Sequence, residues 1–359
     1  MTTVLVMAGG TGGHVFPALA VARVLTERNC SVVWLGTQKG IESRLVPEAG
    51  YPIEWIHVAG LRGKGVLNWL YAPFKVLRAV AEAIAAIRRI RPDVVLGMGG
   101  FASGPGGIAA RLLGCPLVIH EQNAVAGLTN RILARFACVV AEAYSGAFPQ
   151  SAQALHVGNP VRSEIEQISN AQHTPSTPRH LLVFGGSQGA IVLNRVVPAA
   201  LAEIPPTERP QVFHQAGRGR LEATREAYSA LGVQADVQEF IGDMAAAYRW
   251  ADIAITRSGA LTVAELAAAG VPAVLVPFPA AVDDHQTANA RYLTDRSAAL
   301  LMPERELNAQ SLAATILNLA SADGSKLVEM RRAATSAAKL DTARILAELC
   351  LAQATRRAA

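Results

Sequence analysis

The sequence lacks several devices that would point to other kinds of protein. It has no C-x-x-C pair. Its four cysteines, Cys30, Cys115, Cys138 and Cys350, stand singly in apolar surroundings and read as buried free thiols, not as a disulfide framework or zinc site. No uninterrupted apolar run approaches the roughly 18 residues that a membrane-spanning helix needs. The longest candidate, "AVAEAIAAI" (79–87), contains Glu82 and lies between Arg78 and Arg88. The start, "MTTVLVMAGG", has neither a basic n-region nor an A-x-A cleavage site, so a cytoplasmic chain without a transmembrane segment is expected. There is no D-x-D, which removes one common means of holding a nucleotide diphosphate through a divalent metal. H-E-x-x-H zinc chemistry is excluded as well, because "HEQNA" (120–124) has Ala124 where the second histidine would stand.

What is present describes a well-packed α/β protein. The 359 residues are 51% hydrophobic and 17% charged, too long for one ordinary core and suited to two domains. The formal net charge of +5 fits an anionic partner, and nucleic acid, anionic lipid and nucleotides all qualify. Strand-like and helical patterns alternate throughout, which predicts parallel sheets covered by helices. Strands are predicted at 3–8, 31–36, 53–57, 93–97, 116–120, 138–141 and 155–157, then at 180–184, 211–215, 236–238, 252–256, 272–276 and 298–301. The joint is predicted at "HVGNPVR" (156–162), dividing the chain into 1–158 and 159–337, with an alanine-rich helix over about 338–359.

Glycine-rich turns follow strands in both halves. "GGTGGH" (9–14) leads into a helix and presents backbone N–H groups at its positive end, which suits a phosphate. It is neither G-x-G-x-x-G nor a Walker A loop, and no acid ends the second strand, where "VVWLGT" (32–37) stands. A second cluster, "GMGGFASGPGGIAA" (97–110), follows another strand of the same half, and the two together could cradle a diphosphate. "GGSQGA" (185–190) repeats the grammar in the second half, with Ser187 offering a hydroxyl. A bare strand-to-helix turn is the plainer reading of each, although the glycines exceed what a turn requires.

Two further stretches leave alternatives open. In "TRSGALTVAELAAAGVP" (256–272), Thr262 and Glu265 have the spacing of a capping box, but Glu265 could equally accept hydrogen bonds from a ribose. In "LRGKGVLNWLYAPFKVLR" (61–78), Leu67, Leu70, Phe74 and Leu77 recur at helical spacing beside Trp69 and Tyr71, fringed by Arg62, Lys64, Lys75 and Arg78. That is the composition of a core-facing stripe or of an interfacial membrane patch.

In combination and in this order, "GGTGGHVFPALAVA", "GGFASGPGG", "IHEQNAVAGLTN", "VGNPVR", "FGGSQGA", "RSGALTVAELAAAGVP" and "PFPAAVDDHQTANA" resemble the MurG family of bacterial glycosyltransferases over essentially the whole chain. The resemblance implies the GT-B architecture, two Rossmann-like doubly wound domains about a deep cleft, with the last helix crossing back to the first domain. It implies inverting transfer of N-acetylglucosamine from UDP-N-acetylglucosamine to the C4 hydroxyl of undecaprenyl-diphosphate-linked N-acetylmuramyl-pentapeptide. No cofactor, metal or nucleic acid is implied, and the place of action would be the cytoplasmic face of the plasma membrane, reached peripherally through 61–78.

Carried over motif by motif, the donor would meet Ser187 at its diphosphate, the backbone of Ile241 at the uracil, and Ala260, Leu261, Thr262, Val263, Ala264 and Glu265, the last at the ribose. Gln286 would reach the sugar hydroxyls, with Asn289 a second candidate, although His285 and Thr287 beside it depart from the residues common in related chains. Thr11, Gly12, Gly13, Asn123 and Arg162 would close the donor site. Gly12, Gly13, His14, Ser103 and Gly104 would meet the acceptor's diphosphate. His14 is the candidate general base, because a helix N-terminus disfavours its protonated form, with loop positioning as its alternative role. A UDP-N-acetylglucosamine 2-epimerase of similar fold is the rival reading, and an NAD-linked oxidoreductase a more distant one.

Overall fold

The computed structural model describes residues 1–58, 72–170, 174–186, 189–320 and 323–358. The chain forms two compact units, Met1–Arg162 with Asp341–Ala359, and Ser163–Leu340.

The first unit contains strands β1 (Thr3–Met7), β2 (Ser31–Gly36), β3 (Ile53–Trp55), β4 (Val94–Gly97), β5 (Leu117–Glu121), β6 (Val139–Glu142) and β7 (Leu155–His156). They pair in the order β3-β2-β1-β4-β5-β6-β7, and the pairs are parallel, with Val4 facing Val32 on one side and Val94 on the other. Both faces of this sheet are covered, which explains the nearly continuous apolar runs of its central strands. Val4 and Val6 point to a layer made by helices Gly12–Glu27 and Thr342–Ala358, through Val15, Ala18, Leu25, Leu346 and Cys350. Leu5 and Met7 point the other way, to helices Ala72–Ile90 and Ser103–Leu112, through Ala83, Ile87 and Ala109.

The second unit contains β8 (His180–Phe184), β9 (Gln211–Gln215), β10 (Asp236–Gln238), β11 (Ile253–Thr256), β12 (Ala273–Leu275) and β13 (Ala299–Leu301). Their order is β10-β9-β8-β11-β12-β13, again with parallel pairing. Each sheet is therefore doubly wound and reverses its strand order once, between β1 and β4 and between β8 and β11. In such sheets the crevice beyond the carboxyl ends at the reversal is where ligands bind. Each glycine-rich segment that stood out in the sequence follows one of those four strands.

The cysteine reading needs one correction. Cys30, Cys115 and Cys350 are buried, but Cys138 is exposed, because it lies at the amino edge of the sheet just before β6. Among the described residues, no helix is long and apolar enough to cross a membrane.

Two buried histidines make stability pH-dependent. Burial lowers His120, whose Nε2 lies 2.8 Å from Gly158 O, to about 4, and lowers His214 to about 3. Both stay neutral in the fold but take up protons near pH 6.5 in the unfolded chain. The unfolded state then binds more protons, so stability is complete above about pH 6.5 and declines as pH falls toward 4 and below. For His120 the loss is on the order of 3 kcal/mol. Urea midpoints measured between pH 7 and 4 should fall accordingly, and His120→Asn should reduce the slope; an unchanged slope would remove His120 from this account.

Candidate active site

In the first unit the two glycine-rich loops lie backbone against backbone. Gly100 adopts φ +86°, and a Cβ there would stand 2.2 Å from Gly9 O, so only glycine permits this approach. Ser103, wholly buried, locks the arrangement by donating from Oγ to Gly99 O at 2.7 Å and Met7 O at 3.0 Å. Its hydroxyl is thus engaged inside the unit, and of the two residues that open helix Ser103–Leu112 only Gly104 is partly exposed.

Thr11 caps helix Gly12–Glu27 with extended backbone, and Thr11, Gly12, Gly13 and His14 form its first turn and entry. The imidazole Nδ1 of His14 lies 3.2 Å from Gly9 O and 3.4 Å from Thr11 Oγ1. Because a carbonyl only accepts, Nδ1 carries the proton in that contact, and Nε2 is the basic nitrogen of the neutral ring. The ring packs on Gly99, where a Cβ would come within 2.8 Å of Cδ2. Arg162 brings its guanidinium over the Phe16 ring of the same helix, 5.8 Å from the centroid, and so joins the joint to this end of the unit.

The segment after β5 is organised by a carboxylate. Glu121, buried, accepts from Asn123 N and Nδ2 through Oε1, and from Gly127 N and Asn130 Nδ2 through Oε2, at 2.9 to 3.1 Å. Gln122 donates to Met98 O, which ties this segment to the turn after β4. Half-buried Asn123 is held among these bonds.

In the second unit Ser187 lies outside the described residues, but the frame of its loop is defined. Gly189 N donates to Gly186 O at 2.8 Å, and Gly189 presses on the turn after β9, where a Cβ would meet Ala216 O at 2.2 Å. Below it a buried chain runs from Tyr228 Oη to His214 Nδ1 (2.8 Å), from His214 Nε2 to Asn194 Oδ1 (3.1 Å), and from Asn194 Nδ2 to Ala216 O (2.8 Å). These bonds hold the start of helix Ile191–Ala202 against β9.

The segment after β11 corrects the capping-box alternative. Gly259 is the N-cap of helix Ala260–Ala269 and Thr262 lies inside the first turn, so Thr262 and Glu265 cannot cap that helix as a pair. Glu265 is buried one turn further on and accepts from Tyr248 Oη at 3.0 Å. Ala260 and Val263 are buried, while Leu261, Thr262 and Ala264 are half-buried. Asn289, also buried, donates to Ser258 O at 3.3 Å beneath the start of this helix. Gln286 accepts from Phe278 N at 2.9 Å, and Ile241 follows β10 with its side chain buried, so its main chain is what could meet a base.

Sequence reasoning missed Glu42 and Phe101, both beside Gly9 and Gly10. Phe101 is 53% exposed, unusual for its size, and a Cβ on Gly10 would touch its ring at 3.9 Å. Of the 61–78 stretch, positions 61–71, including Leu67, Trp69, Leu70 and Tyr71, lie outside the described residues. The rest settles one question: Phe74 and Leu77 are 70% and 65% exposed, so they are not core.

Two doubly wound parallel sheets, each with glycine-rich turns at its strand reversal, are the parts of a GT-B fold, and comparison with known proteins makes the chain a glycosyltransferase of that type. Residues 4–142 match the glycosyltransferase family 28 N-terminal domain and residues 180–345 its C-terminal domain, so the chain belongs to glycosyltransferase family 28. Within it, the UDP-N-acetylglucosamine--N-acetylmuramyl-(pentapeptide) pyrophosphoryl-undecaprenol N-acetylglucosamine transferase of Nitrosococcus oceani is 55% identical over 351 residues, 97% of this chain and 98% of its own. The enzyme of the same name from Methylococcus capsulatus is 51% identical over 98% of both chains. The crystal structure of Acinetobacter baumannii MurG has a TM-score of 0.82 at 40% identity, covering 98% of this chain and 100% of that one. A calicheamicin glycosyltransferase, 17% identical with a TM-score of 0.69, shares the fold.

Proposed function

We propose that this chain transfers N-acetylglucosamine from UDP-N-acetylglucosamine to the C4 hydroxyl of undecaprenyl-diphosphate-linked N-acetylmuramyl-pentapeptide, the step of peptidoglycan synthesis that turns lipid I into lipid II. The observation that carries this reading is the 55% identity over nearly the full length of a transferase with that name. The same likeness favours transfer over the epimerase alternative.

In this reading the second unit holds the donor. The 187–190 loop, Ser187 included, meets the leaving diphosphate through groups other than the Gly189 N–H, which donates to Gly186 O; Ile241 meets the uracil through its main chain, 260–265 line the nucleotide, and Gln286 meets the sugar. The first unit holds the acceptor, with Gly12, Gly13, His14, Ser103 and Gly104 at its diphosphate, while Thr11, Asn123 and Arg162 complete the donor's surroundings. The acceptor oxygen bonds to the anomeric carbon from the face opposite UDP, the bond from that carbon to the phosphate oxygen breaks, and the configuration inverts. His14 Nε2 takes the hydroxyl proton. Helix N-termini and Arg162, rather than a divalent ion, meet the charge that grows on the diphosphate.

Purified protein incubated with UDP-N-acetylglucosamine tests this directly. Release of UDP should depend on the lipid-diphosphate acceptor. Conversion of the donor to its 2-epimer without acceptor would overturn the reading.

Glu265 offers a sharper check on the donor side. Glu265→Ala deprives the buried Tyr248 hydroxyl of an acceptor and should cost about 1 to 3 kcal/mol of stability, so it confounds binding with folding. Glu265→Gln keeps an acceptor of the same size. It should melt near wild type yet bind UDP-N-acetylglucosamine about tenfold or more weakly in calorimetric titration, since bonds to a charged acceptor are the stronger ones. Unchanged affinity in the glutamine variant would remove Glu265 from the donor site.

We further infer that the chain works peripherally on the cytoplasmic face of the plasma membrane. Exposed Phe74 and Leu77 on one helix, Leu112 on the helix packed beside it, and Leu128 and Ile132 on the next have Lys75, Arg78, Arg111 and Arg131 among them. Apolar side chains fringed by cations suit an anionic bilayer surface. Phe74→Ser with Leu77→Ser should abolish most binding to anionic vesicles and leave circular dichroism unchanged, and wild-type binding should weaken with salt. Binding that survives both changes would place the contact elsewhere.

A further inference from the structure

We propose that Glu42 is a positioning residue that sets the glycine-rich loop of the first unit for the acceptor's diphosphate and turns that unit away from binding a nucleotide. The inference rests on the reading that the first unit takes the acceptor.

Glu42 opens the short helix after β2 and is completely buried. One carboxylate oxygen, Oε2, accepts from Gly10 N at 2.8 Å. The other, Oε1, accepts from Thr37 N at 3.0 Å and Thr37 Oγ1 at 2.7 Å. No cation takes part in this set of bonds, so three donors carry the whole cost of burying the charge. The space is made by small residues. A Cβ on Gly9 would come 2.5 Å from Oε1, one on Gly40 would come 1.9 Å from Oε2, and one on Gly36 would meet Cγ at 3.0 Å. Three glycines, Gly9 and Gly40 from two loops and Gly36 from the end of β2, thus enclose one carboxylate.

A buried charge directly behind an anion-binding loop works against anion binding, so its presence calls for a compensating role. Two features of the geometry supply it. A carboxylate is the side chain of this size that can accept at both ends, and here it joins the turn after β1 to the end of β2. It also draws the N–H of Gly10 inward. The N–H groups that remain at the start of the helix are then those of Gly12 and Gly13, since that of His14 donates to Thr11 O at 3.2 Å, and the helix dipole adds to them. Glu42 fixes which amides of the loop face a phosphate.

The same placement bears on specificity. In dinucleotide-binding sheets an acid near the end of the second strand accepts from the ribose hydroxyls. Here the acid that follows the second strand is completely buried and engaged at both oxygens, so it cannot serve a ribose. The glycine loop of this unit is left with the chemistry of a phosphate site without a sugar-reading carboxylate, which suits a lipid diphosphate.

The test compares Glu42→Gln and Thr37→Val with the wild-type chain. Glutamine keeps the volume but has one accepting oxygen, so it must turn its amide NH2, a donor, toward Gly10 N–H or Thr37 N–H. It should raise the KM for the lipid-diphosphate acceptor about tenfold or more and lower kcat, while the UDP-N-acetylglucosamine dissociation constant stays within about twofold. Hydrogen exchange of a peptide covering 8–16 should accelerate about tenfold, with peptides from β8 and β11 unchanged. Thr37→Val removes one hydroxyl donor and should give a smaller shift in the same direction, which keeps the test open should Glu42→Gln not fold. A glutamine variant with wild-type KM, kcat and loop exchange overturns the proposal. So does one that only melts earlier, with unchanged constants below its melting temperature. If the wild-type chain itself fails to use the acceptor, the functional reading falls, and the exchange experiment still decides whether Glu42 holds the loop.

Discussion

Alanine in place of His14 should lower turnover with the lipid acceptor by about 10² or more and leave donor affinity nearly unchanged, as loss of a general base does. The geometry sharpens this expectation. Nδ1 faces Gly9 O, so the tautomer that fits the loop leaves Nε2 as the proton acceptor. The same contact supplies the competing explanation, that the ring merely holds the loop. His14→Asn separates them, because an asparagine amide can donate toward Gly9 O but is no base. If Asn restores turnover, His14 positions the loop; if Asn is as impaired as Ala, and the acid limb of the wild-type kcat/KM profile disappears from what activity remains, the ring moves the proton.

The second large effect should come from Gly100→Ala. The added methyl would lie 2.2 Å from Gly9 O and 2.7 Å from Gly9 N, backbone atoms with no flexible end to swing aside. Gly50→Ala is its control: Gly50 has φ +83°, close to the +86° of Gly100, but a Cβ there meets nothing within 4 Å. Both changes carry the backbone penalty of a left-handed conformation, roughly 1 kcal/mol. Gly100→Ala should add about 1 to 3 kcal/mol for the forced separation of the two loops, and turnover should fall with it. Chemical denaturation of the pair, beside acceptor-dependent UDP release, measures both. Equal losses of stability would mean that the loops do not press on one another.

Much of the fold was legible because its signals are local. Each strand of both sheets was predicted within one or two residues, since strands buried on two faces read as short apolar runs closed by glycine, proline or polar residues. Spacing misled where several geometries share it. Thr262 and Glu265 have the separation of a capping box, but the helix begins at Ala260, so Thr262 is already inside it. The exposed side chains of Phe74 and Leu77 follow from which helix stands beside theirs, and periodicity holds no information on that. Of the site, the glycine turns could be read directly. Their supports could not: Glu42 is 32 positions from Gly10, and Asn194 meets the Ala216 carbonyl from 22 positions away. The only local hint of Glu42 was the pair of glycines at 36 and 40, which leave a hollow that something must fill.

The helix Thr342–Ala358 has a consequence for biogenesis. Leu346, Ala347, Cys350 and Ala354 belong to the same apolar layer as Val4, Val6 and Val15. Thr342 Oγ1 donates to Val157 O, Arg357 donates to Pro92 O, and Arg28 pairs with Glu348. As the nascent chain emerges, residues 1–162 therefore have an unfinished face through the whole time that the second unit is made and folded. A fragment ending at 162 would expose that layer and aggregate, whereas a cut at 338–341, after the helix Ser325–Ala337 that packs into the second unit's core, should still let the last helix dock when both pieces are retained. The half that leaves the ribosome first matures last.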